Sequence, residues 1–322
     1  MTDPASPSVD SRPPTAAPAI GRQVAIFLDL IKFAHSIFAL PFALIATFWA
    51  FGAMGVSPMS GGAMGRVALI LACMVIARTW AMTVNRLVDR RFDAANPRTA
   101  RRPSVTGAVS ERFMAATLGA CIVLFLLATA GFWALFANPW PLVFALPVLA
   151  WLGGYSFTKR FTALCHFWLG LSLGLAPLSA WIAIAGGAGA AWGSRLVTIL
   201  LLTLGVTVWV AGFDILYALQ DEAFDREQRL HSLPAALGRA GAIHMSRACH
   251  VLTLAAFVGV GITGGFHVLY WVGFGAAALL LAIEQSLVSP RDISRVNIAF
   301  MTVNGIVGLV FGALTIADMV LR

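Results

Sequence analysis

The feature that most constrains this chain is the length of its uncharged, apolar runs. They cover Phe33 to Gly65, Phe113 to Thr158, Phe161 to Ser194, Leu196 to Phe213, Ala248 to Ile283 and Val296 to Ala317. A helix needs roughly 20 apolar residues to cross a bilayer, so several runs are long enough for two spans. Only 11% of the residues are charged, whereas a soluble domain carries about 25%. The period-2 alternation of a transmembrane barrel is absent. The chain is therefore predicted to be an all-α, polytopic membrane protein.

Glycine, proline and charge clusters divide the apolar part of the chain into nine predicted helices. They span about residues 23–52, 65–93, 112–136, 140–157, 162–187, 195–225, 238–263, 267–286 and 293–320. The stretches "GAMGVSPMSGG", "ANPWP" and "GGAGAAWG" are typical connections. Residues 1–21 are rich in Pro, Ser, Ala and Thr and lack the apolar segment of a signal peptide. They predict a disordered cytoplasmic tail, followed by a membrane domain over residues 22–322.

The basic residues indicate the orientation in the membrane. If the N-terminus is cytoplasmic, seventeen of the 22 Lys and Arg lie in the tail or in the cytoplasmic loops. Arg66, Arg195 and Arg322 lie on the other side, and Lys32 and Arg78 lie inside spans. This asymmetry follows the positive-inside rule. We therefore expect an integral protein of a bacterial inner membrane, with its N-terminus cytoplasmic and its C-terminus on the opposite side. The basic pI of about 10.2 then reflects topology, and no nucleic-acid partner is expected.

Two acidic motifs end predicted helices 2 and 6, at the cytoplasmic side in this topology. The first, "NRLVDRRFD", carries Asn85, Asp89 and Asp93 at four-residue spacing; the second, "DILYALQDEAFD", carries Asp214, Tyr217, Asp221 and Asp225. The second set falls at i, i+3, i+7 and i+11, which is one face of a helix at about 100° per residue. A basic loop follows each motif. The two regions therefore form a weak internal repeat with two half-sites.

This pattern favours a magnesium site that also binds an anion. Aspartates at i and i+4 place their side chains about 5–6 Å apart, and Mg²⁺ is commonly held by one or two carboxylates, waters and substrate phosphates. The predicted ligands are Asn85, Asp89, Asp93, Asp221 and Asp225, and the cations expected to meet a diphosphate are Arg98, Arg102 and Lys159. The alternative is a pair of ordinary polar helix ends, but the repetition of the motif favours function. Arg78 lies two turns deeper on the first face, where an ionisable group suggests a functional role.

Three further parts of the sequence each allow two interpretations, one structural and one functional. The stretch "YSFTKRF" places Tyr155, Lys159 and Arg160 in a short cytoplasmic loop, either as a membrane anchor or as a cation pair for an anionic substrate. Lys32 and His35 lie one turn apart on predicted helix 1, where the histidine is either structural or a substrate contact. His231 either contacts phosphate or caps a loop.

Taken together, "NRLVDRRFD", "YSFTKR" and "DILYALQDEAFD" resemble the UbiA superfamily of intramembrane aromatic prenyltransferases. The resemblance runs from about residue 24 to the C-terminus. The matching positions are Asn85, Asp89 and Asp93 on predicted helix 2, Tyr155 and Lys159 in the loop, and Asp221 and Asp225 on predicted helix 6. Members of this family have nine helices around a chamber that is open sideways to lipid, and the same architecture is expected here.

The resemblance implies a Mg²⁺-dependent transfer of a polyprenyl group from a polyprenyl diphosphate to a ring carbon of a hydroxylated aromatic acid. Four carboxylates and a diphosphate sum to about −7, which favours two Mg²⁺ ions that bridge the diphosphate. The residues expected to contact the substrates are Lys32, Arg78, Arg98, Arg102, Tyr155, Lys159, Arg160 and Tyr217. Either Asp214 or a diphosphate oxygen would take the ring proton, and Arg160 resembles a position near the acceptor carboxylate. No organic cofactor is expected.

The identity of the acceptor stays open between two aromatic acids of respiratory quinone synthesis. Hydroxybenzoate enzymes typically show Arg-x-x-Lys-Pro on helix 1, where this chain has Asp29, Lys32 and Phe33. That departure resembles the branch associated with menaquinone synthesis by the futalosine route, whose acceptor is a dihydroxynaphthoate. Haem, chlorophyllide and lipid-ether acceptors rank lower. A cation-coupled transporter is the alternative from another class, but carriers place coupling residues near the midplane on broken helices.

Overall fold

The computed structural model describes residue 26, residues 38–187, residue 189 and residues 192–321. The nine longer α-helices are α1 (Leu40–Ala53), α2 (Gly61–Val88), α3 (Glu111–Phe136), α4 (Ala145–Thr158), α5 (Cys165–Ala185), α6 (Leu196–Ala218), α7 (Leu233–Gly264), α8 (Val268–Ser286) and α9 (Asn304–Val320). Short helices occupy Arg90–Ala95, Pro103–Thr106, Trp140–Val143 and Glu222–Glu227. A 3₁₀ turn covers Leu219–Asp221 and a π-helical turn covers Ile298–Val303. These described ranges contain no strand.

Seven helices of the described chain are long and apolar enough to cross a membrane. They are Gly61–Val88, Glu111–Phe136, Cys165–Ala185, Leu196–Glu227, Leu233–Gly264, Val268–Ser286 and Ile298–Val320. The prediction of an all-α, polytopic membrane protein is confirmed. The predicted count of nine membrane spans is not confirmed. Helices α1 and α4 have 14 residues each, fewer than the roughly 20 that a span needs. Lys32, His35 and the predicted tail 1–21 lie outside the described residues.

Helix α6 is the central element of the bundle, packed between α5 and α7. Glycines on α5 permit this close approach. A Cβ at Gly170 would lie 2.2 Å from the carbonyl oxygen of Thr207, and one at Gly174 would lie 2.8 Å from that of Thr203. Membrane helices lack a strong hydrophobic drive to associate, so backbone contact through small residues supplies much of the packing. The middle of α6 therefore lies in close backbone contact with α5.

A buried polar network ties α9 to α6 and α8. The indole Nε1 of Trp209 donates to Oδ1 of Asn304 (2.8 Å), and Nδ2 of Asn304 donates to Oε1 of Glu284 (2.7 Å) and to the carbonyl of Ala299 (3.0 Å). In a membrane interior such groups must be satisfied within the protein. The acceptor Ala299 lies in the π-helical turn, which also places the ring of Phe300 4.2 Å from the ring of Tyr217. The network thus fixes a neighbour of the second motif.

The sequence predicted that each acidic motif lies on one uninterrupted helix. The structure instead interrupts the helix within each motif. Helix α2 ends at Val88, and Asp89 stands at a break before Arg90–Ala95. Helix α6 continues through the 3₁₀ turn Leu219–Asp221 into Glu222–Glu227. The spacing of the first motif nevertheless survives, because the amide of Asp89 donates to the carbonyl of Asn85 (2.9 Å) and that of Asp93 to the carbonyl of Asp89 (2.7 Å). Each break lets the chain turn while its polar side chains stay on one side.

Candidate active site

A cavity of about 230 Å³ lies where the two acidic motifs meet. Among the residues predicted for the site, its walls contain Asn85, Asp89, Asp93, Arg98, Arg102, Tyr155, Lys159, Arg160, Asp214, Tyr217, Asp221 and Asp225. Apolar side chains, including Phe92, Leu169 and Phe224, complete the lining. Arg78 is not among the lining residues. The fold therefore brings both motifs and the loop between α4 and α5 to one place, although more than a hundred residues separate the motifs.

Each aspartate of the predicted metal site has its own basic partner. The closest N–O distances are 3.7 Å for Asp89 with Arg160, 2.7 Å for Asp93 with Arg102, 2.5 Å for Asp221 with Arg98, and 2.7 Å for Asp225 with Lys159. Four carboxylates around one small cavity would otherwise repel one another strongly. The three cations predicted to bind the diphosphate therefore neutralise Asp93, Asp221 and Asp225, and Arg160, predicted to lie near the acceptor carboxylate, pairs with Asp89.

The loop that follows the first motif docks on the second motif through Arg98. Its Nε and Nη2 donate to both carboxylate oxygens of Asp221, at 3.0 and 2.5 Å, and its Nη1 donates to the hydroxyl of Tyr217 at 3.2 Å. Asn96, which sequence reasoning missed, donates from Nδ2 to Oδ1 of Asp221 at 3.1 Å. Its own Oδ1 accepts the backbone N–H of Arg98 at 2.9 Å. The Asn-Pro pair signals such a turn, but its long-range contact depends on the fold.

Asp225 is fully buried and is held from two sides. Lys159 contacts Oδ1 at 2.7 Å, and the hydroxyl of Ser232 donates to Oδ2 at 2.7 Å. Burial lowers the pKa of Lys159, but the Asp225 carboxylate more than offsets this effect, so the pKa lies above its usual value. His231 has an exposed side chain, and its backbone N–H donates to the carbonyl of Lys159 at 2.7 Å.

Asp89 has surroundings that disfavour the charged form of its carboxylate. Burial and the neighbouring Asp93 raise the pKa of Asp89 to about 6, against the opposing effect of Arg160. Nδ2 of Asn85 donates to Oδ2 of Asp89 at 2.6 Å. Arg86, a buried residue that sequence reasoning did not select, donates from Nη1 to Oδ1 of Asn85 at 2.9 Å. Asn85 is thereby oriented between a guanidinium and a carboxylate.

His166 is a third residue of the site that the sequence did not predict. It is the second residue of α5, is 2% exposed and lines the cavity. Its Nδ1 lies 2.7 Å from Oδ2 of Asp214, and its Nε2 accepts the backbone N–H of Leu233 at 3.3 Å. The available signal was an ionisable residue at the start of a predicted span, which is a functional candidate by default.

The donor set suits Mg²⁺. It consists of carboxylate and amide oxygens, which are the ligands that this hard cation prefers. Across the described ranges, no three acidic, histidine or cysteine side chains are grouped closely enough to hold a metal by themselves. Mg²⁺ is typically bound through one or two carboxylates, with waters and substrate phosphates as the remaining ligands.

The fold and the site define an integral-membrane protein with a charged cavity, lined by two acidic motifs and their basic partners. The chain matches the UbiA prenyltransferase family over residues 37–306. It therefore belongs to the UbiA prenyltransferase family and is a prenyltransferase, which confirms the resemblance seen in the motifs. The matched range lies inside the membrane domain predicted over residues 22–322.

Curated relatives of the chain include two proteins named 4-hydroxybenzoate octaprenyltransferase. The one from Alkalilimnicola ehrlichii is 32% identical over 241 residues, which cover 74% of this chain and 77% of that protein. The one from Paraburkholderia phymatum is 28% identical over 242 residues, which cover 74% and 79%.

Solved structures share the fold. A UbiA homologue from Aeropyrum pernix K1, determined in its apo form, has a TM-score of 0.77 and 31% identity, with 90% of this chain and 99% of that chain covered. A UbiA homologue from Archaeoglobus fulgidus, determined with GPP and Mg²⁺, has a TM-score of 0.66 and 21% identity, with 91% and 99% covered.

Proposed function

We propose that this enzyme transfers a polyprenyl group from a polyprenyl diphosphate to a ring carbon of a hydroxylated aromatic acid, in respiratory quinone biosynthesis. The observation that carries the proposal is the meeting of two acidic motifs across one cavity, each aspartate with a basic partner. Carboxylates suit the metal, and the cations suit the diphosphate. The names of the curated relatives support a 4-hydroxybenzoate acceptor. The sequence at Asp29, Lys32 and Phe33 supports a dihydroxynaphthoate acceptor.

Asn85, Asp89 and Asp93 would hold one Mg²⁺ ion, and Asp221 and Asp225 would hold a second. The bound metal supplies Lewis-acid stabilisation of the diphosphate as it departs. The Archaeoglobus homologue was determined with GPP and Mg²⁺, which supports binding of Mg²⁺ together with a prenyl diphosphate. In the structure these carboxylates are paired with Lys and Arg side chains. When metal and diphosphate bind, the carboxylates would therefore exchange their cations for the metal. Arg98, Arg102 and Lys159 would leave the aspartates for diphosphate oxygens.

The transfer breaks a C–O and a C–H bond and forms a C–C and an O–H bond. The bond between the first prenyl carbon and the diphosphate oxygen breaks, and its electron pair leaves with the diphosphate, which Arg98, Arg102 and Lys159 stabilise. The resulting allylic cation bonds to the ring carbon beside the phenolic hydroxyl. That carbon then loses its proton to the carboxylate of Asp214, which restores the aromatic ring.

The acceptor would bind with its carboxylate at Arg160 and its ring near Tyr155 and Tyr217. Arg160 is 38% exposed at its side chain and stands at the cavity wall, where it also contacts Asp89. Its guanidinium lies 5.4 Å above the ring of Phe92, so an aromatic wall accompanies the charge. Lys32 and Arg78 remain predicted substrate contacts.

The isoprenoid tail would extend into an apolar chamber that is open sideways to membrane lipid. Water must be kept from the allylic cation, since water would capture it as an alcohol. We place the cavity on the cytoplasmic side of a bacterial inner membrane, with the N-terminus on that side and the C-terminus opposite. The distribution of Lys and Arg supports this orientation.

The test is turnover in nanodiscs with Mg²⁺, a series of labelled polyprenyl diphosphates, and either 4-hydroxybenzoate or 1,4-dihydroxy-6-naphthoate. Formation of one prenylated acid that stops with EDTA supports the proposal and identifies the pathway. Mg²⁺-dependent diphosphate release without product would retain the donor site and reject both acceptors. If no donor releases diphosphate, the proposal fails.

A further inference from the structure

His166 lies outside the acidic motifs, yet it contacts a residue at the centre of the proposed chemistry. Its ring is 3% exposed, whereas the side chain of Asp214 is 22% exposed and lines the cavity. The two are brought together by the close packing of α5 against α6. Nδ1 of His166 and Oδ2 of Asp214 are 2.7 Å apart, which is a short distance for a charge-assisted hydrogen bond.

The second ring nitrogen decides which way this hydrogen bond runs. Nε2 of His166 accepts the backbone N–H of Leu233 at 3.3 Å. A backbone N–H can only donate, so Nε2 must present its lone pair. The ring proton of the neutral imidazole therefore stands on Nδ1 and is donated to Oδ2 of Asp214. The contact with Leu233 thus sets the tautomer of His166.

Leu233 itself is held in place. It is the first residue of α7, and the preceding Ser232 caps that helix by accepting the N–H of Ala235 at 3.3 Å. Ser232 also donates to Asp225, at 2.7 Å. The imidazole is therefore clamped between a fixed helix start and the carboxylate of Asp214. Oδ2 is committed to the clamp, which leaves Oδ1 for a ligand in the cavity.

We infer that His166 is a positioning residue: it holds Asp214 so that Oδ1 faces the ring hydrogen that is lost during prenyl transfer. The inference rests on the proposed function. His166 keeps its own proton throughout, and the ring proton passes to Oδ1. Without the clamp the carboxylate rotates, and a displacement of about 1 Å costs roughly 100-fold in rate. The prenylated ring intermediate would then lose its proton slowly, and part of it would break its new C–C bond and return the allylic cation, which water captures as an alcohol.

Three substitutions separate this role from simple packing. His166→Asn keeps a donor at the position of Nδ1 and loses the contact with Leu233. His166→Gln places its amide at the position of Nε2, keeps an acceptor for Leu233 and loses the donor to Asp214. His166→Leu loses both contacts. His244→Leu, at an exposed histidine on α7, is the matched control, and thermal unfolding in detergent establishes that each variant is folded.

The measurement uses the acceptor that the wild-type enzyme prenylates, with and without deuterium at the carbons beside its hydroxyl. The amounts of released diphosphate and of prenylated product are both measured in the same nanodisc reaction. We expect His166→Leu and His166→Gln to form product roughly 10- to 100-fold more slowly. Both should show a deuterium isotope effect that the wild type lacks, and both should release more diphosphate than they form product. His166→Asn should recover most of the coupling.

Two results overturn the inference while leaving the proposed function intact. One is normal coupling, without an isotope effect, in His166→Leu. The other is an equal loss in His166→Asn and His166→Gln, which would make the donor to Asp214 irrelevant. Absence of any Mg²⁺-dependent product from the wild type is a different outcome: it rejects the proposed function, and the role of His166 with it.

Discussion

Nζ of Lys159 lies 2.7 Å from Oδ1 of Asp225, so a cation suited to diphosphate is paired with a carboxylate suited to metal. The pairing is buried on the carboxylate side and half-exposed on the lysine side. An ion pair of this kind leaves an unfavourable charge behind when one partner is removed. Binding of a metal diphosphate replaces both partners at once, because the metal takes the carboxylate while the diphosphate takes the ammonium.

Lys159→Met should separate the two halves of this exchange. Without Mg²⁺ the variant should unfold at a lower temperature, because Asp225 is then buried without its cation. Mg²⁺ alone should bind more tightly, since no ammonium competes for the carboxylate, whereas turnover should fall about 100-fold. Calorimetric Mg²⁺ titration, melting curves and turnover test this. Lys159→Arg should recover part of the activity, because it keeps the charge but not the geometry. Unchanged Mg²⁺ affinity in Lys159→Met would contradict the exchange.

Asp89→Asn and Asp221→Asn should each abolish the Mg²⁺-dependent release of diphosphate. Each removes one carboxylate ligand from a different half-site, and the expected loss of kcat is about 100- to 1000-fold. Diphosphate release at a series of Mg²⁺ concentrations provides the measurement. Glu222→Gln is the control, because Glu222 belongs to the second acidic segment but pairs with Arg226 and Arg239 away from the cavity. Full activity in either aspartate variant would remove that residue from the metal site.

Mg²⁺ affinity should decline as the pH falls below about 6. The pKa of Asp89 lies near 6 in the metal-free protein because of burial and Asp93, so above this value the carboxylate is ionised and below it a proton occupies a metal-ligand position. Metal binding must displace that proton, and affinity then falls with decreasing pH. Titrations with Mg²⁺ at pH 5, 6 and 7.5 test the dependence. Asp89→Asn should flatten it, and an affinity that rises on acidification would show that the sign is wrong.

Arg160→Met should weaken acceptor binding and leave diphosphate release intact. A hydrogen-bonded charge contributes about 1.5–3 kcal/mol, so the KM of a carboxylate acceptor should rise about 10- to 150-fold. An acceptor of the same ring without its carboxylate should be used equally well by the variant and the wild type. Arg229→Met, at an exposed arginine beyond the second motif, is the control. Equal KM changes for both acceptors would place the carboxylate elsewhere.

Gly170→Ala should destabilise the protein through the contact of α5 with α6. The added methyl would lie 2.2 Å from the carbonyl oxygen of Thr207, and overpacking of this kind costs about 1–3 kcal/mol. Thermal unfolding in detergent measures the effect. Gly275→Ala is the matched control on α8, because a Cβ there meets nothing within 4 Å. A melting temperature equal to that of the control would show that α5 can shift without cost.

Much of the site was predictable because its residues repeat at helical spacing. Asn85, Asp89 and Asp93 kept their four-residue relation even though α2 ends at Val88, since local backbone hydrogen bonds bridge the break. The basic residues after each motif were also visible in the sequence. Asn96 and His166 were not, because nothing near them in the chain shows that Asp221 and Asp214 lie alongside.

By itself, the sequence determined the class of the protein: long uncharged runs cannot form a water-soluble surface, and repeated acidic motifs at helix ends indicate a metal and diphosphate site. Both signals are local, since periodicity and hydropathy depend on neighbouring residues. Only the tertiary structure decided which cation faces which carboxylate and which histidine orients Asp214. Those pairings join residues up to 123 positions apart, and the one between His166 and Asp214 depends on how closely the glycines of α5 allow α6 to approach.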